Sequence, residues 1–327
     1  MKPVTIVNAK TLDEAVAGLG ATAKATAGGT DLYGALKGMI FATPPEKLVS
    51  IRSVPGLAYI REEGGALKIG ALTTLKEIAA SSVVQGKWPI LAKAAKAVGT
   101  PQLRTMGTIA GNLCQEVRCW YYRAEHNEFN CLRKGGQLCY MIAGNTTSHS
   151  AIWGAGGCFA GSVSDTATVL TALGASVVTT KKTIAMADFY KPLGNNLDAN
   201  ELIKEISVPT PAAGTKQAYL RYAERKCLDF AEVSVATVVT VAGGNVSDLR
   251  IILGAVSPVP VRATTAENFV KGKAMSAAVA TDAGLEAVKT ATPLPPAAGL
   301  KAAFMPGNAY KKQVALTLVK RALLASV

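Results

Sequence analysis

The chain has 327 residues, of which 49% are hydrophobic and 17% charged, a balance typical of a soluble protein with two or three packed domains. The formal net charge is +13, but the lysines and arginines are scattered and form no basic run interleaved with aromatics, which argues against nucleic-acid binding. No stretch reaches the roughly 18 apolar residues of a membrane-spanning helix, and the first residues lack the apolar core of a secretory signal. We therefore expect a cytoplasmic protein; a periplasmic location would require a partner that carries the export signal for both.

The first part of the chain alternates short predicted strands and helices and then loses its periodicity. Thr11 and Glu14 have the spacing of a capping box, which marks a helix start. Residues 107–160 contain many Gly, Cys, Asn and Arg, as expected of a long ligand-holding segment. The predicted elements are a helix from Thr11, strands at 25–27 and 48–51, a hairpin at 57–69 and a helix at 89–98.

Regular structure is predicted again beyond residue 165. The proline-rich stretch 209–214 has the composition of a linker. The glycines at 243–244 predict a hairpin turn, so the last part of the chain is expected to be a domain of strands followed by helices. The predicted elements are a helix at 166–173, strands at 175–178, 218–221, 233–242 and 249–256, and helices at 266–278 and 308–325.

Two glycine-rich runs are candidate binding loops. In the first, Gly28 and Gly29 follow a predicted strand, so the backbone can adopt φ > 0 and present N–H groups to a pyrophosphate. The second joins small residues with Thr and Asn, which can hydrogen-bond phosphate, ribose or a flavin edge. The first run is neither G-x-G-x-x-G nor a Walker loop, so nicotinamide-type Rossmann binding and P-loop hydrolysis lack support. An ordinary turn and an ordinary connector stay open as readings. The candidate residues are Thr26, Ala27, Gly28, Gly29, Thr30, Asp31, Leu32, Thr108, Gly111 and Asn112.

Five of the six cysteines fall between residues 114 and 158. In a chain without a secretory signal, such a cluster favours metal ligation over disulfides. Four thiolates on a long segment can close a tetrahedral set because loop-closure entropy grows slowly with length. No pair has the two-residue gap of a zinc finger or of the commonest ferredoxin loops, so zinc, an iron–sulfur cluster and unligated core cysteines all stay open. The candidate ligands are Cys119, Cys131, Cys139 and Cys158, and the nearby cations are Arg118, Arg123, Arg133 and Lys134.

Asp165 is a further candidate. It stands at a predicted helix start, where an acidic residue is usually an N-cap; a carboxylate that holds a ribose hydroxyl is the alternative. The only histidines, His126 and His149, have no acid–base partner in a recognisable motif. The sequence also lacks a nucleophile elbow, a metalloprotease motif and paired carboxylates, so we predict no catalytic residue in this chain.

Taken in order, these motifs resemble those of the FAD-binding medium subunits of molybdenum hydroxylases, such as the carbon monoxide dehydrogenase flavoprotein and the flavin domain of xanthine dehydrogenase. The resemblance is carried by Ala27–Leu32, Gly107–Leu113 and Ser164–Asp165, and it continues through Leu249–Ala263. It covers nearly the whole chain, and only the combination of motifs is specific.

This resemblance implies roles for the candidate residues. The two glycine-rich loops would hold the FAD pyrophosphate, Asp165 would contact the adenosine part, and Lys226 would lie close to the flavin ring. Ala110 stands where the family usually has a glycine, a change of one methyl group.

The resemblance also implies an α+β fold. A PCMH-like FAD-binding domain would consist of subdomains 1–55 and 56–208, the second carrying a cysteine-rich insertion at about 114–158. A smaller α+β domain of the CO dehydrogenase flavoprotein C-terminal type would follow at 215–327.

The cysteine-rich insertion is similar to one found in a subset of the family, which includes the flavin subunits of 4-hydroxybenzoyl-CoA reductase and of periplasmic aldehyde oxidoreductase. Cys119–Arg123 and His149–Gly154 carry this similarity. It implies a [4Fe-4S] cluster besides FAD, bound by the four candidate cysteines, with Cys114 and Cys227 as spare thiols.

A member of this family would work beside a molybdopterin-binding large subunit and a small [2Fe-2S] subunit, as a heterotrimer or a dimer of heterotrimers. Electrons would pass between these partners, the FAD and an external donor or acceptor. Two other classes stay open. One is a stand-alone FAD oxidase or dehydrogenase, against which the lack of an acid–base constellation argues. The other is a zinc-stabilised binding module without a redox role.

Overall fold

The computed structural model describes residues 2–142, 144, 149–225, 228–296 and 307–327. Within these ranges, every helix is too short or too polar to cross a lipid bilayer. Helices and sheets are mixed along the chain in three larger sheets, one parallel and two antiparallel. The predicted α+β class is confirmed.

The first unit is a small parallel sheet with two helices. Its first helix begins as predicted, because the Thr11 hydroxyl accepts the N–H of Glu14 at 3.1 Å. The reciprocal bond of a capping box is displaced by one residue, since the Glu14 carboxylate accepts the N–H of Lys10 instead. The elements are β1 (Thr5–Asn8), α1 (Leu12–Gly18), β2 (Ala23–Thr26), α2 (Leu32–Lys37) and β3 (Lys47–Ser50), with strand order β1-β3-β2.

The second unit opens with the predicted hairpin, followed by a group of short helices. The helix predicted from Pro89 forms and buries Leu91 and Ala94 completely. The elements are β4 (Ile60–Glu63), β5 (Ala66–Gly70), α3 (Leu75–Ala80), α4 (Ser82–Lys87), α5 (Pro89–Ala97), α6 (Pro101–Met106) and α7 (Ile109–Leu113).

The cysteine-rich segment, residues 114–163, contains little regular structure, as its lack of periodicity predicted. Three short 3-10 turns, at Glu125–Asn127, Leu132–Lys134 and Tyr140–Ile142, connect its elements. The elements are α8 (Trp120–Arg123), β6 (Ser150–Ala155) and β7 (Cys158–Ala160).

The rest of the second unit completes an antiparallel sheet of five strands, ordered β4-β5-β12-β8-β9. This sheet packs against α5 and α9 in one core that contains Ile69, Leu91, Leu170 and Ile206. The elements are α9 (Asp165–Ala172), β8 (Ser176–Thr179), β9 (Thr183–Ala185), α10 (Met186–Phe189), β10 (Tyr190–Lys191), β11 (Gly194–Asn195) and β12 (Ile203–Pro209).

The last unit is a four-stranded antiparallel sheet with helices on it. The helix predicted at 266–278 is wrong: two helices form, because Gly272 adopts φ +82° and the chain turns there. The elements are β13 (Lys216–Tyr222), β14 (Val233–Ala242), β15 (Asn245–Gly254), β16 (Val261–Arg262), α11 (Thr264–Val270), α12 (Ala277–Ala287) and α13 (Tyr310–Leu324).

The last unit also holds the exit of the cysteine-rich segment. The Asn308 side chain donates to the Ser150 hydroxyl and to Ala151 O, both at 2.8 Å. The fully buried amine of Lys311 donates to Ser150 O at 2.7 Å and to Ala255 O at 2.8 Å. These two side chains therefore fix strand β6 against the C-terminal sheet.

Candidate functional site

The two glycine-rich loops lie in direct contact. A Cβ atom on Gly28 would lie 1.9 Å from Met106 O, so only glycine allows the loops to approach this closely. Gly29 adopts φ +69°, a left-handed conformation that favours glycine. The sequence folds this way because the strand β2 delivers the first loop to the point where α6 ends.

A cavity of about 500 Å³, the large cavity, lies between these loops. Among the described residues, no acceptor takes the backbone N–H groups of Gly28, Gly29 or Thr30. Free N–H groups that bound a cavity of this size are suited to an anionic ligand. The predicted residues that line the large cavity are Thr26, Ala27, Gly28, Gly29, Thr30, Asp31, Leu32, Thr108, Gly111 and Asn112.

The second loop is stabilised by capping. The Thr108 hydroxyl accepts the N–H of Gly111 at 3.2 Å, and the buried Asn112 accepts the hydroxyls of Ser164 and Thr166, both at 2.6 Å. The Asn112 oxygen is therefore occupied by these two hydroxyls, and the residue also lines the large cavity. Ala110 is not among the lining residues, so its methyl group does not obstruct the space.

A second cavity, of about 200 Å³, adjoins the large one. Cys114, Gln115, Glu116 and Asn195 line both, so the two cavities share a wall, and we refer to the pair as the branched cavity. Cys114 is exposed and does not line the thiol cavity described below, which does not favour a role as a ligand beside the other cysteines.

Asp165 lies beside this space but lines neither cavity. The reading of Asp165 as an N-cap is wrong, because Ser164 accepts the N–H of Ala167 and caps the helix. The Asp165 carboxylate is buried, where it accepts the Tyr219 hydroxyl and lies 3.8 Å from Arg221 Nε. Burial raises the pKa of this carboxyl above its usual range, and Arg221 opposes the shift.

The residue Lys226 falls outside the described residues, as does Cys227.

The four candidate cysteines come together. Cys119, Cys131, Cys139 and Cys158 line one small cavity, the thiol cavity, of about 10 Å³, and all are free thiols. In the described part of the chain, no group of three or more His, Cys, Asp or Glu side chains is placed so that it could hold a metal ion. The structure thus gathers four thiols from residues far apart in sequence, packed against one another.

The thiols of Cys119, Cys139 and Cys158 differ in pKa. The hydrogen bond from Cys158 lowers the pKa of Cys139 to about 7, while the same bond raises the pKa of Cys158. Burial raises the pKa of Cys119 to about 11. A bound cation would displace these protons, because only the thiolate is a strong metal ligand.

Two cationic side chains lie beside the thiol cavity. Arg133 Nη1 donates to Pro192 O at 2.7 Å, while Arg133 Nε and Lys134 Nζ are buried and meet no acceptor among the described residues. Both groups lie over the Tyr122 ring, at 6.0 Å and 5.3 Å from its centroid. Positive charge next to four thiols fits an anionic thiolate site, since it offsets the negative charge that deprotonation of the thiols would add.

Sequence reasoning missed the residues that link the two regions. Asp31 forms ion pairs with Arg118 and Arg123 beside the large cavity. Arg118 also lies over the ring of Phe230. The arginines were noted only as charges near the cysteines, and no local signal marks Asp31 as their partner.

Family comparison gives a match over almost the whole chain. Residues 2–211 match the family described as the FAD binding domain in molybdopterin dehydrogenase. Residues 218–326 match the CO dehydrogenase flavoprotein C-terminal domain.

Individual relatives agree with this match. The carbon monoxide dehydrogenase medium chain of Hydrogenophaga pseudoflava is 32% identical over 321 residues, which covers 97% of this chain and 94% of the relative. The aldehyde oxidoreductase FAD-binding subunit of Escherichia coli is 32% identical over 257 residues, covering 75% of this chain and 78% of the relative. A solved structure of the Hydrogenophaga pseudoflava carbon monoxide dehydrogenase has a TM-score of 0.76 and 30% identity, covering 99% of this chain and 97% of that chain.

Proposed function

The chain belongs to the family of FAD-binding domains in molybdopterin dehydrogenases, and on this premise we propose that it is the FAD-binding, electron-transferring subunit of a molybdenum-hydroxylase-type oxidoreductase. The observation that carries the proposal is the contact of the two glycine loops around the large cavity, with unpaired N–H groups at its wall. Bound FAD would supply the ability to accept and pass on electrons, and the protein supplies its burial and orientation.

The branched cavity supports an assignment of the FAD to its parts. The N–H groups of Gly28–Thr30 and the amide of Asn112 would hold the diphosphate. The adenosine would extend toward the second cavity, near Ser164 and the adjacent Asp165, and the flavin toward the stretch that contains Lys226. The shared walls support this assignment, since one extended ligand can occupy both spaces.

We further propose a [4Fe-4S] cluster on Cys119, Cys131, Cys139 and Cys158. The convergence of four free thiols on one cavity supports it, as do the two cationic side chains, Arg133 and Lys134, beside them. Four thiolates are the ligand set that such clusters use. Zinc uses the same ligands, so the metal is decided by measurement.

The partners would be a molybdopterin-binding large subunit and a [2Fe-2S] small subunit, in a heterotrimer or a dimer of heterotrimers. The printed names of the relatives as medium or FAD-binding subunits support this. Within the chain we propose subdomains at 1–55 and 56–208 and a C-terminal domain at 215–327. The location of the parallel sheet, the five-stranded sheet and the four-stranded sheet in these three ranges supports the division. A cytoplasmic location stays a prediction.

The absorption spectrum of anaerobically purified protein tests the function. Flavin bands over a broad iron–sulfur shoulder are expected. Flavin bands alone would refute the cluster but keep the flavoprotein; a colourless protein that contains zinc would refute both.

A pair of cysteine variants tests the ligand set. We expect Cys139→Ala to lower the iron content per chain sharply, because Cys139 lines the thiol cavity. Cys114 lines the large cavity instead, so Cys114→Ala should keep the iron content near the wild-type value. Metal analysis of both proteins gives the answer. Equal loss in the two variants would refute the assignment.

A further inference from the structure

Asp31 belongs to the first glycine loop, but its carboxylate binds the cysteine-rich segment. One oxygen accepts the backbone N–H of Glu116 at 2.8 Å. The other accepts Arg118 at 2.9 Å and Arg123 at 2.7 Å. A single carboxylate thus joins residues that lie 85 and 92 positions further along the chain.

The two arginines in turn bind the backbone where the segment begins. Arg123 donates to Val117 O at 2.8 Å and to Glu116 O at 3.0 Å. Arg118 donates to the Gln115 side chain at 3.2 Å and also to Glu116 O. Because a guanidinium has five donors in a fixed plane, each arginine can hold several partners in one geometry.

This network is partly removed from water. The Asp31 and Arg118 side chains are each 18% exposed and that of Arg123 is 21% exposed. Arg118 also lies over the Phe230 ring, 4.4 Å from its centroid, which ties it to the C-terminal unit. Burial lowers the pKa of Arg118 only to about 10, so it stays charged at neutral pH. Exposed ion pairs contribute little to stability, but removal of one member here would leave a half-buried charge without its partner.

The network is also close to both proposed cofactors. Asp31 directly follows Gly28–Thr30, whose N–H groups line the large cavity. Arg123 ends the single turn of α8 that starts after Cys119, and its N–H donates to Cys119 O at 2.9 Å. The ion pair between Asp31 and Arg123 therefore connects the first glycine loop directly to α8, the helix that follows Cys119.

We propose that Asp31, Arg118 and Arg123 are positioning residues that couple the two cofactor sites, an inference that rests on the proposed FAD and cysteine sites. FAD bound to the glycine loop holds Asp31 in place, and Asp31 orders the backbone that presents Cys119. The coupling is reciprocal, since any contact by which FAD orders the segment also lets the ordered segment tighten FAD binding.

Modification of Cys119 tests the coupling, whether the thiols hold metal or are free. The full-length protein is prepared with FAD and depleted of FAD, treated anaerobically with iodoacetamide, and the labelling rate of Cys119 is read by peptide mass spectrometry. We expect FAD to slow labelling about tenfold in the wild type and to have little effect in Arg123→Gln, whose side chain does not line the large cavity. FAD affinity should fall by a similar factor in this variant, because the coupling is reciprocal.

Two further variants complete the test. Arg123→Lys keeps the charge with fewer donors and should restore part of the protection, which a merely unfolded segment would not. Lys181→Gln removes an ion pair to Asp198, another carboxylate at the large cavity, and should leave the protection at its wild-type value. Equal protection by FAD in the wild type, Arg123→Gln and Arg123→Lys would overturn the coupling. A wild type that binds FAD without protecting Cys119 would overturn the coupling alone, whereas one that binds no FAD would overturn the proposed function as well.

Discussion

At Gly28 the two binding loops leave no room for even one methyl group. In Gly28→Ala the new Cβ would collide with Met106 O, so the loops must separate and the N–H groups lose their alignment. Overpacking of this kind costs about 1–3 kcal/mol, or roughly a 5- to 150-fold loss of FAD affinity. Titration of FAD-depleted protein by flavin fluorescence measures the change. Gly34→Ala, in α2 with no atom within 4 Å of the new Cβ, is the control and should bind FAD normally.

Lys311 predicts a pH dependence of stability. Burial lowers its pKa from 10.5 to about 7, and the Glu232 charge only partly opposes this shift. Between these two values the unfolded chain holds a proton that the folded chain has lost, so this residue makes the free energy of unfolding rise as pH increases from 7 toward 10.5. Urea unfolding at pH 7 and pH 9 checks the sign. The wild type should gain stability relative to Lys311→Met over this interval, and an identical pH response in the two proteins would contradict the assignment.

At the scale of elements, a buried side-chain hydrogen bond connects α9 to β13. Tyr219 is buried and donates its hydroxyl to Asp165 at the first position of α9. Tyr219→Phe leaves that carboxylate buried without this donor, which should lower the free energy of unfolding by about 1–3 kcal/mol. Tyr222→Phe in the same strand is the control, because residue 222 is 42% exposed, and the unfolding curve of this variant should match that of the wild type. Denaturant unfolding that shows equal loss in both variants would contradict the role of the bond.

Elements whose boundaries depend on local chemistry were predicted well. Thr11 and Pro89 mark helix starts because a hydroxyl cap and a missing N–H act within one turn of the chain. The break at Gly272 was missed because glycine inside a helical pattern costs only about 1 kcal/mol and is often tolerated. Whether such a glycine ends the helix depends on tertiary contacts; here Gly272 N–H donates to Val246 O.

For the molecule as a whole, the branched cavity predicts different effects of FAD and FMN. A ligand present at 100 times its Kd stabilises the folded state by about 2.7 kcal/mol. FMN lacks the adenylate half of FAD, the adenosine and one phosphate, so it would leave the second cavity empty and should bind more weakly and raise the Tm less than FAD at the same concentration. Thermal unfolding of FAD-depleted protein with each ligand measures this. Equal shifts in Tm would show that the adenylate half makes no net contribution to binding.

The candidate site was predictable only where it depends on neighbouring residues in the sequence. The glycine loops could be recognised because each is a short run whose backbone freedom depends on its own residues. The partners of Asp31 could not, because the ion pair to Arg123 spans 92 positions and exists only after the sheets have packed. The same holds for the four cysteines, whose common cavity depends on the path of the whole segment.

The bond between Asn112 and Ser164 bears on how the cysteine-rich segment could be engineered. These residues flank the segment, and their side chains meet at 2.6 Å although 52 positions separate them. The chain therefore leaves and rejoins the scaffold at nearly the same point, so closing this gap would need only a short link. The segment is nevertheless not a detachable module, because its excision would remove Ser150 and Ala151 and leave the buried Asn308 and Lys311 side chains without these acceptors.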